Sequence, residues 1–196
     1  INYLTIPMKY LFRSTLSVCL AAATFTVSAQ DDAALLKKAK KIHDKAFTLD
    51  THADTPMLLA RGGFDITKDN DARTTNSKVD YPRMVRGGLD AIFFAVYLGQ
   101  GPRTPEAHET AKQKALSIFD AVHTTLKNTS SMAALATTPE EAIKIGKTGK
   151  RAIFIGVENG YTIGHDLGML QKFYDLGTRY MTLCHSSNND ICDSST

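Results

Sequence analysis

What is scarce in this chain narrows the answer before any motif does. Basic side chains are not in excess: 23 Lys and Arg stand against 20 Asp and Glu. Without Lys9 and Arg13, which lie in an acid-free stretch near the front, the balance is 21 to 20. No basic stripe with interleaved aromatics exists, which argues against a nucleic-acid partner. Cysteine is rare, with three residues, so there is no disulfide framework. Cys19 lies in the front stretch, Cys184 is expected to be a buried thiol and Cys192 a loop thiol. No apolar run reaches the roughly 20 residues that a membrane-spanning helix needs, so no transmembrane span is expected. Internal repeats and low-complexity linkers are also missing. What remains, 43% hydrophobic and 22% charged, is the profile of a globular chain with a sizeable core.

The front stretch decides the compartment. After Met8 come Lys9 and Arg13, then the apolar and small-residue run STLSVCLAAATFTV, then Val27-Ser28-Ala29. A positive n-region, an apolar h-region and a small-x-small site make a secretory signal peptide. Residues 1–29 are therefore assigned to a signal peptide with upstream residues, and the mature protein is expected to be exported, periplasmic or secreted. A lipid-attachment reading of Cys19 is the lesser alternative, because Cys19 sits early in the run with Val18 before it.

From residue 31 onward helix-like and strand-like segments alternate. DDAALLKKAKKIHDKA carries acids first, bases later and Leu35, Leu36, Ala39 and Ile42 at helical spacing, which predicts an amphipathic helix with His43 on its surface. FTLD reads as a short strand, followed by a polar loop from about Arg61 to Ser77. LDAIFFAVYL is a continuous apolar run of the kind found in strands buried on both faces. Thr104-Pro105-Glu106 opens a helix that runs to about Lys127. His108 and His123 on it are expected to face solvent, too far apart to share a metal. Thr138-Pro139-Glu140-Glu141 starts a shorter helix with a capping box. RAIFIGVE, a helix over HDLGMLQKFYDLG and a strand RYMTLCH complete a series that predicts a parallel α/β sheet covered by helices.

The chemistry concentrates at strand ends. In FTLDTHADTP, Asp50, His52 and Asp54 stand at every second position, so on a continuing strand they share one side. Imidazole and carboxylate suit a divalent ion such as zinc. Taken alone, the pattern equally suits a cap of short polar residues with Thr55-Pro56 turning the chain. Glu158 ends RAIFIGVE and His185 ends RYMTLCH. Three strands thus deliver acid/base or metal-capable side chains at their carboxyl ends, where parallel α/β folds place active sites.

The blocks LDTHADTP, YPRMVRGGLDAIFFAVY and IGVENGYTIGHDLGMLQKFYDLGTRYMTLCHSSNNDICDSS resemble, in order and spacing, the amino-terminal half of the membrane dipeptidase (renal dipeptidase) family of zinc peptidases. The resemblance spans roughly residues 35–196. It implies a (β/α)8 TIM-like barrel, of which this chain supplies about the first half in residues 30–196. It also implies two zinc ions and dipeptide substrates, some with a D-residue or dehydro residue on the carboxyl side; a homodimer is one possible state of the full-length protein. By position, His52 and Asp54 match ligands of the first zinc and Glu158 the carboxylate bridging both ions. His185 matches a histidine that contacts the substrate and polarises the scissile carbonyl, and Asp50 is assigned a supporting place behind the ligands. Two departures bear on substrate preference: Asn159-Gly160-Tyr161 replaces Gly-Gly-His, and SSNNDICDSS lacks a Trp common in animal members.

A barrel of this type takes about 250 residues, and no residue here matches the family's two further zinc histidines, substrate-binding arginine or acidic proton shuttle. A different amidohydrolase-type enzyme and an exported, non-catalytic binding protein on the same barrel are the competing readings. The 196 residues by themselves are expected not to hydrolyse a dipeptide; full turnover by the isolated fragment refutes this.

Overall fold

The computed structural model describes residues 32–196; the segment assigned to a signal peptide lies outside the described residues. Residues 32–43 form α1, exposed along its length, with Leu35, Leu36 and Ile42 open to solvent and a Lys40–Asp44 pair at 2.8 Å along one face. Residues 47–196 form one compact unit, which carries the sheet.

That unit runs β1 (Leu49–Ala53), α2 (Thr55–Arg61), α3 (Ala72–Thr75), α4 (Tyr81–Gly87), β2 (Ala91–Tyr97), α5 (Pro105–Asn128), β3 (Ala133–Leu135), α6 (Pro139–Lys147), β4 (Arg151–Glu158), a 3-10 turn (Gly160–Ile163), α7 (Gly168–Asp175) and β5 (Thr178–Met181). Every strand pairing is parallel, in the order β1-β2-β4-β3, with β5 also on β4. β3 pairs with the first residues of β4 and β5 with its last ones, so the two short strands share one edge. This is the expected parallel α/β architecture, with differences in detail. Thr55-Pro56 opens a helix directly after β1, the stretch expected as loop contains α3, and β3 is a fifth strand. β5 ends at Met181, which leaves His185 in the loop beyond it.

The two apolar runs behave as their composition requires. β2 and β4 pair in register from Ala91↔Ala152 to Tyr97↔Glu158, and strands covered on both faces need apolar side chains at every position. On one face Ile92, Phe94, Val96, Ile153, Ile155 and Val157 form a continuous core with Phe119 and Val122 of α5 and Phe173 of α7. Each such side chain contributes about 1.5–3 kcal/mol on full burial. On the other face Phe93 stacks on Phe154 at 4.7 Å, beside Ala142 of α6.

α5 explains one correction. Its buried face includes Ala111, Ala115, Ile118 and Val122, and His108 falls on that stripe, three residues before Ala111. His108 is 7% exposed, not solvent-facing, and His123 is half-buried with Nε2 3.0 Å from the Leu176 carbonyl. Cys184, expected to be buried, is half-buried like Cys192, and both are free thiols. The α6 cap is a shifted capping box: Thr138 Oγ1 accepts from Glu141 N, while the Glu141 carboxylate accepts from Thr137 N, one residue earlier than the standard pattern. No helix among the described residues is long and apolar enough to cross a membrane.

Polar anchors fix the amino ends of the strands. Thr48 N donates to Asp90 Oδ2 at 3.0 Å, Thr48 Oγ1 to the Gly88 carbonyl, and Arg151 Nη1 to the Leu89 carbonyl at 3.0 Å. Asp80, fully buried, caps α4 by accepting from Arg83 N and Nε at 2.8 Å and from Asn70 N at 2.9 Å. Burial pushes its pKa up, but the amide hydrogen bonds and the Arg83 guanidinium outweigh it and hold the carboxyl below the usual range. A depressed native pKa contributes stability above the unfolded value and loses it as pH falls through the native one. Asp80→Asn is therefore expected to cost about 2–3 kcal/mol near neutral pH, with the gap to the parent closing below the ordinary carboxylate pKa of 3.8. Urea denaturation across that range checks it, and a constant gap refutes it.

Candidate metal centre

The carboxyl ends of β1, β4 and β5 deliver the chemistry. Glu158, the last residue of β4, lies opposite Tyr97 in the ladder, and its side chain is 13% exposed. Its two oxygens look in different directions: Oε2 is 3.1 Å from His52 Nε2 and Oε1 is 2.9 Å from His185 Nδ1. Asp54 Oδ1 approaches the same His52 Nε2 at 3.3 Å. His52, Asp54 and Glu158 each offer a ligand atom within 4.8 Å of the others. Two carboxylates and an imidazole at that spacing fit a divalent cation of the zinc type.

Asp50 stands apart from this cluster. β1 carries one extra residue between Asp50 and Ala53 relative to β2, so strict alternation fails there, as a bulge requires. The Asp50 carboxylate turns back and accepts the His52 backbone N–H at 3.0 Å. Asp54, just past the strand, precedes α2 without capping it through its side chain, which leaves its carboxylate free for the cluster.

Three residues that the motifs did not single out hold this arrangement. Tyr180 on β5 places its hydroxyl 3.0 Å from His52 Nδ1. The tautomer in which Nδ1–H donates to that oxygen leaves the Nε2 lone pair for a cation. Burial, then the negative charges of Glu158 and Asp54, push the Tyr180 pKa up to about 12, so the phenol stays protonated at neutral pH. Tyr180 reaches His52 by crossing β4 at Gly156, where any Cβ would collide with the ring. That glycine inside the apolar run RAIFIGVE was the available sequence signal, since a lone strand glycine marks a close approach.

Asn159 is the second and Asn189 the third. Asn159 is fully buried with φ +76°, a region Asn tolerates better than most side chains. Its Nδ2 donates to the Leu98 carbonyl at 3.0 Å, and its Oδ1 accepts from Tyr161 N and Asn189 Nδ2. Asn189 Nδ2 also donates to the Leu183 carbonyl at 2.7 Å. The loop after Glu158 and the loop holding His185 are thereby joined to the end of β2. A cleft of about 420 Å³ opens beside the cluster, lined in part by His52, Asp54, Met57, Arg61, Lys78 and Tyr97.

The profile of the family described as Membrane dipeptidase (Peptidase family M19) matches residues 36–196. The chain belongs to that family. It is 30% identical over 167 residues to dipeptidase verJ of Clonostachys rogersoniana, covering 81% of this chain and 43% of the relative. Dipeptidase ataJ of Aspergillus terreus is 27% identical over 165 residues, covering 81% and 40%. The chain thus spans about two fifths of the length of these relatives. Among solved structures, the probable dipeptidase PvdM from Pseudomonas aeruginosa superposes with a TM-score of 0.73 at 22% identity, over 83% of this chain and 40% of that one. A metallo peptidase from Rhodobacter sphaeroides, liganded with a phosphinate mimic of the dipeptide L-Ala-D-Ala, gives 0.60 at 23% identity over 71% and 45%. The fold is therefore the dipeptidase α/β barrel, represented here by about its first half.

For a dipeptidase-family strand end, the Asn159 conformation carries a testable cost. Asn159→Ala keeps a side chain at positive φ and loses four side-chain hydrogen bonds, and is expected to lower stability by about 2–4 kcal/mol. Asn159→Gly, free of the backbone strain, is expected to lose less. Equal thermal destabilisation by both variants would remove the conformational part of this account.

Proposed function

We propose that this chain is the amino-terminal part of an exported, zinc-dependent dipeptidase whose substrates are small dipeptides. The observation that carries this reading is the divided presentation of Glu158, one oxygen toward His52 and the other toward His185. A bridging carboxylate needs this two-sided geometry. Changes at His52 or Glu158 would favour the competing reading as a binding protein, and both residues are intact.

In this reading His52 Nε2, an Asp54 oxygen and the Glu158 carboxylate would hold the metal. The ligands of the second ion come only in part from these residues. Divalent ions held there would supply a water of lowered pKa and positive charge for the carbonyl oxygen. Tyr180 fixes the His52 ring and its tautomer. Asp50 fixes the His52 backbone. His185 Nδ1 rests on Glu158, which leaves its Nε2 to donate to the scissile carbonyl oxygen and steady the tetrahedral state. The Rhodobacter relative's phosphinate ligand, a dipeptide mimic, supports a dipeptide of L,D configuration as the first substrate to test. The 420 Å³ cleft falls in the range typical of small-molecule sites.

Glu158→Gln in the complete protein is expected to lower bound metal per chain and to reduce kcat by at least about 100-fold, as loss of a metal-bridging charge should. Unchanged metal stoichiometry and rate would remove Glu158 from this role. Tyr180→Phe keeps the ring and deletes the hydroxyl that orients His52. It is expected to weaken metal affinity by about 10–100-fold with little loss of fold stability. Competition with a chelator of known affinity measures it, and an unaltered affinity overturns the positioning role.

A further inference from the structure

His108 on α5, His165 after the 3-10 turn and Asp190 in the loop that follows His185 place one ligand atom each within 4.8 Å of one another. None of the three belongs to the His52–Asp54–Glu158 cluster. His108 Nε2 lies 2.9 Å from Asp190 Oδ2, and the His108 side chain is 8% exposed. Apart from this contact, that nitrogen has no hydrogen-bond partner among the described residues. A buried imidazole nitrogen that meets only a carboxylate, with a second imidazole beside it, is placed as a metal ligand is.

The surroundings fix the His108 ring. Tyr161 meets it edge-on at 5.1 Å and His165 at 5.5 Å between ring centroids. Gly164, at φ +52°, lies so close that a Cβ there would sit 2.9 Å from the His108 Cβ, so glycine is required on both steric and conformational grounds. The Tyr161 hydroxyl donates to the Pro102 carbonyl at 2.8 Å, which holds the ring that flanks His108. One turn along α5, Lys112 Nζ lies 3.6 Å from Asp166, a second tie between α5 and the segment that carries His165.

We propose that His108, His165 and Asp190 form an additional divalent-cation site of the zinc type, with two imidazoles, one carboxylate and a fourth position for water. Zinc–nitrogen bonds of about 2.0–2.1 Å put tetrahedral ligand atoms roughly 3.3 Å apart, so rotamer adjustments suffice to close the set. The site joins α5 to two loops at once. One runs from Glu158 to His165, and the other from His185 to Asp190. An ion here clamps the segments that position the bridging carboxylate and the substrate-facing histidine, so its function is structural support of the neighbouring centre.

The test uses the complete protein, stripped with chelator and reloaded with Zn2+ or Co2+, with bound metal per chain measured by mass spectrometry. His165→Ala and Asp190→Asn alter exposed positions, and each is expected to bind one ion fewer than the parent. The double variant His52→Ala/Glu158→Gln is expected to retain that ion, to show a cobalt visible spectrum from it, and to melt several degrees higher with Zn2+. Adding His165→Ala to the double variant is expected to abolish all three signals. Metal content and zinc-dependent melting that are unchanged by His165→Ala in both backgrounds overturn the proposal. Because the double variant dismantles the first cluster, a failed assignment there leaves this result interpretable.

Discussion

The in-register ladder between β2 and β4 is the constraint from which the rest of the molecule follows. Its partners are separated by about sixty positions, and neither strand has a polar residue inside it to absorb a slip. A shift by one residue would turn Ile153, Ile155 and Val157 from the helix-covered face to the opposite one. The Arg151–Leu89 hydrogen bond pins one end of the ladder. Asn159 pins the other by bonding the carbonyl that follows β2. Glu158 therefore emerges at a fixed height beside Tyr97, and the loops of β1 and β5 are brought to it.

The electrostatics of the cluster follow from that placement. Glu158 and Asp54 set two carboxylates around one imidazole edge, an arrangement that hydrogen bonding alone satisfies poorly and a cation satisfies well. Burial first, and then that negative charge, push the Tyr180 pKa up. Tyr180 thus combines a packing role against Phe93, at 5.1 Å between centroids, with an orienting role toward His52. Gly156 makes room for both.

Much of this was legible in the sequence. The runs AIFFAVY and RAIFIGVE announced buried parallel strands, the Thr-Pro-Glu starts announced helices, and the blocks around His52, Glu158 and His185 carried the family resemblance. What was not legible depended on tertiary geometry. The bulge in β1 has no signature in LDTHA, so alternation alone grouped Asp50 with His52 although its carboxylate turns to the backbone. β3, three residues of Ala and Leu, is too short to declare a period. His108 was misjudged because a histidine on an apolar stripe reads as polar and exposed until the facing loop is known. The Asn159–Asn189 junction joins positions thirty residues apart through one side-chain contact, which no local pattern encodes.

The separation of His52 and Asp54 from Glu158 along the chain has a consequence for how the protein is made. In a zinc finger the ligands are near neighbours, and the ion can drive folding of the whole module. Here more than a hundred residues lie between the first donors and the third, and they meet only through a ladder that must already be zipped. A metal held by these three side chains would therefore be taken up only once the β2–β4 ladder has formed.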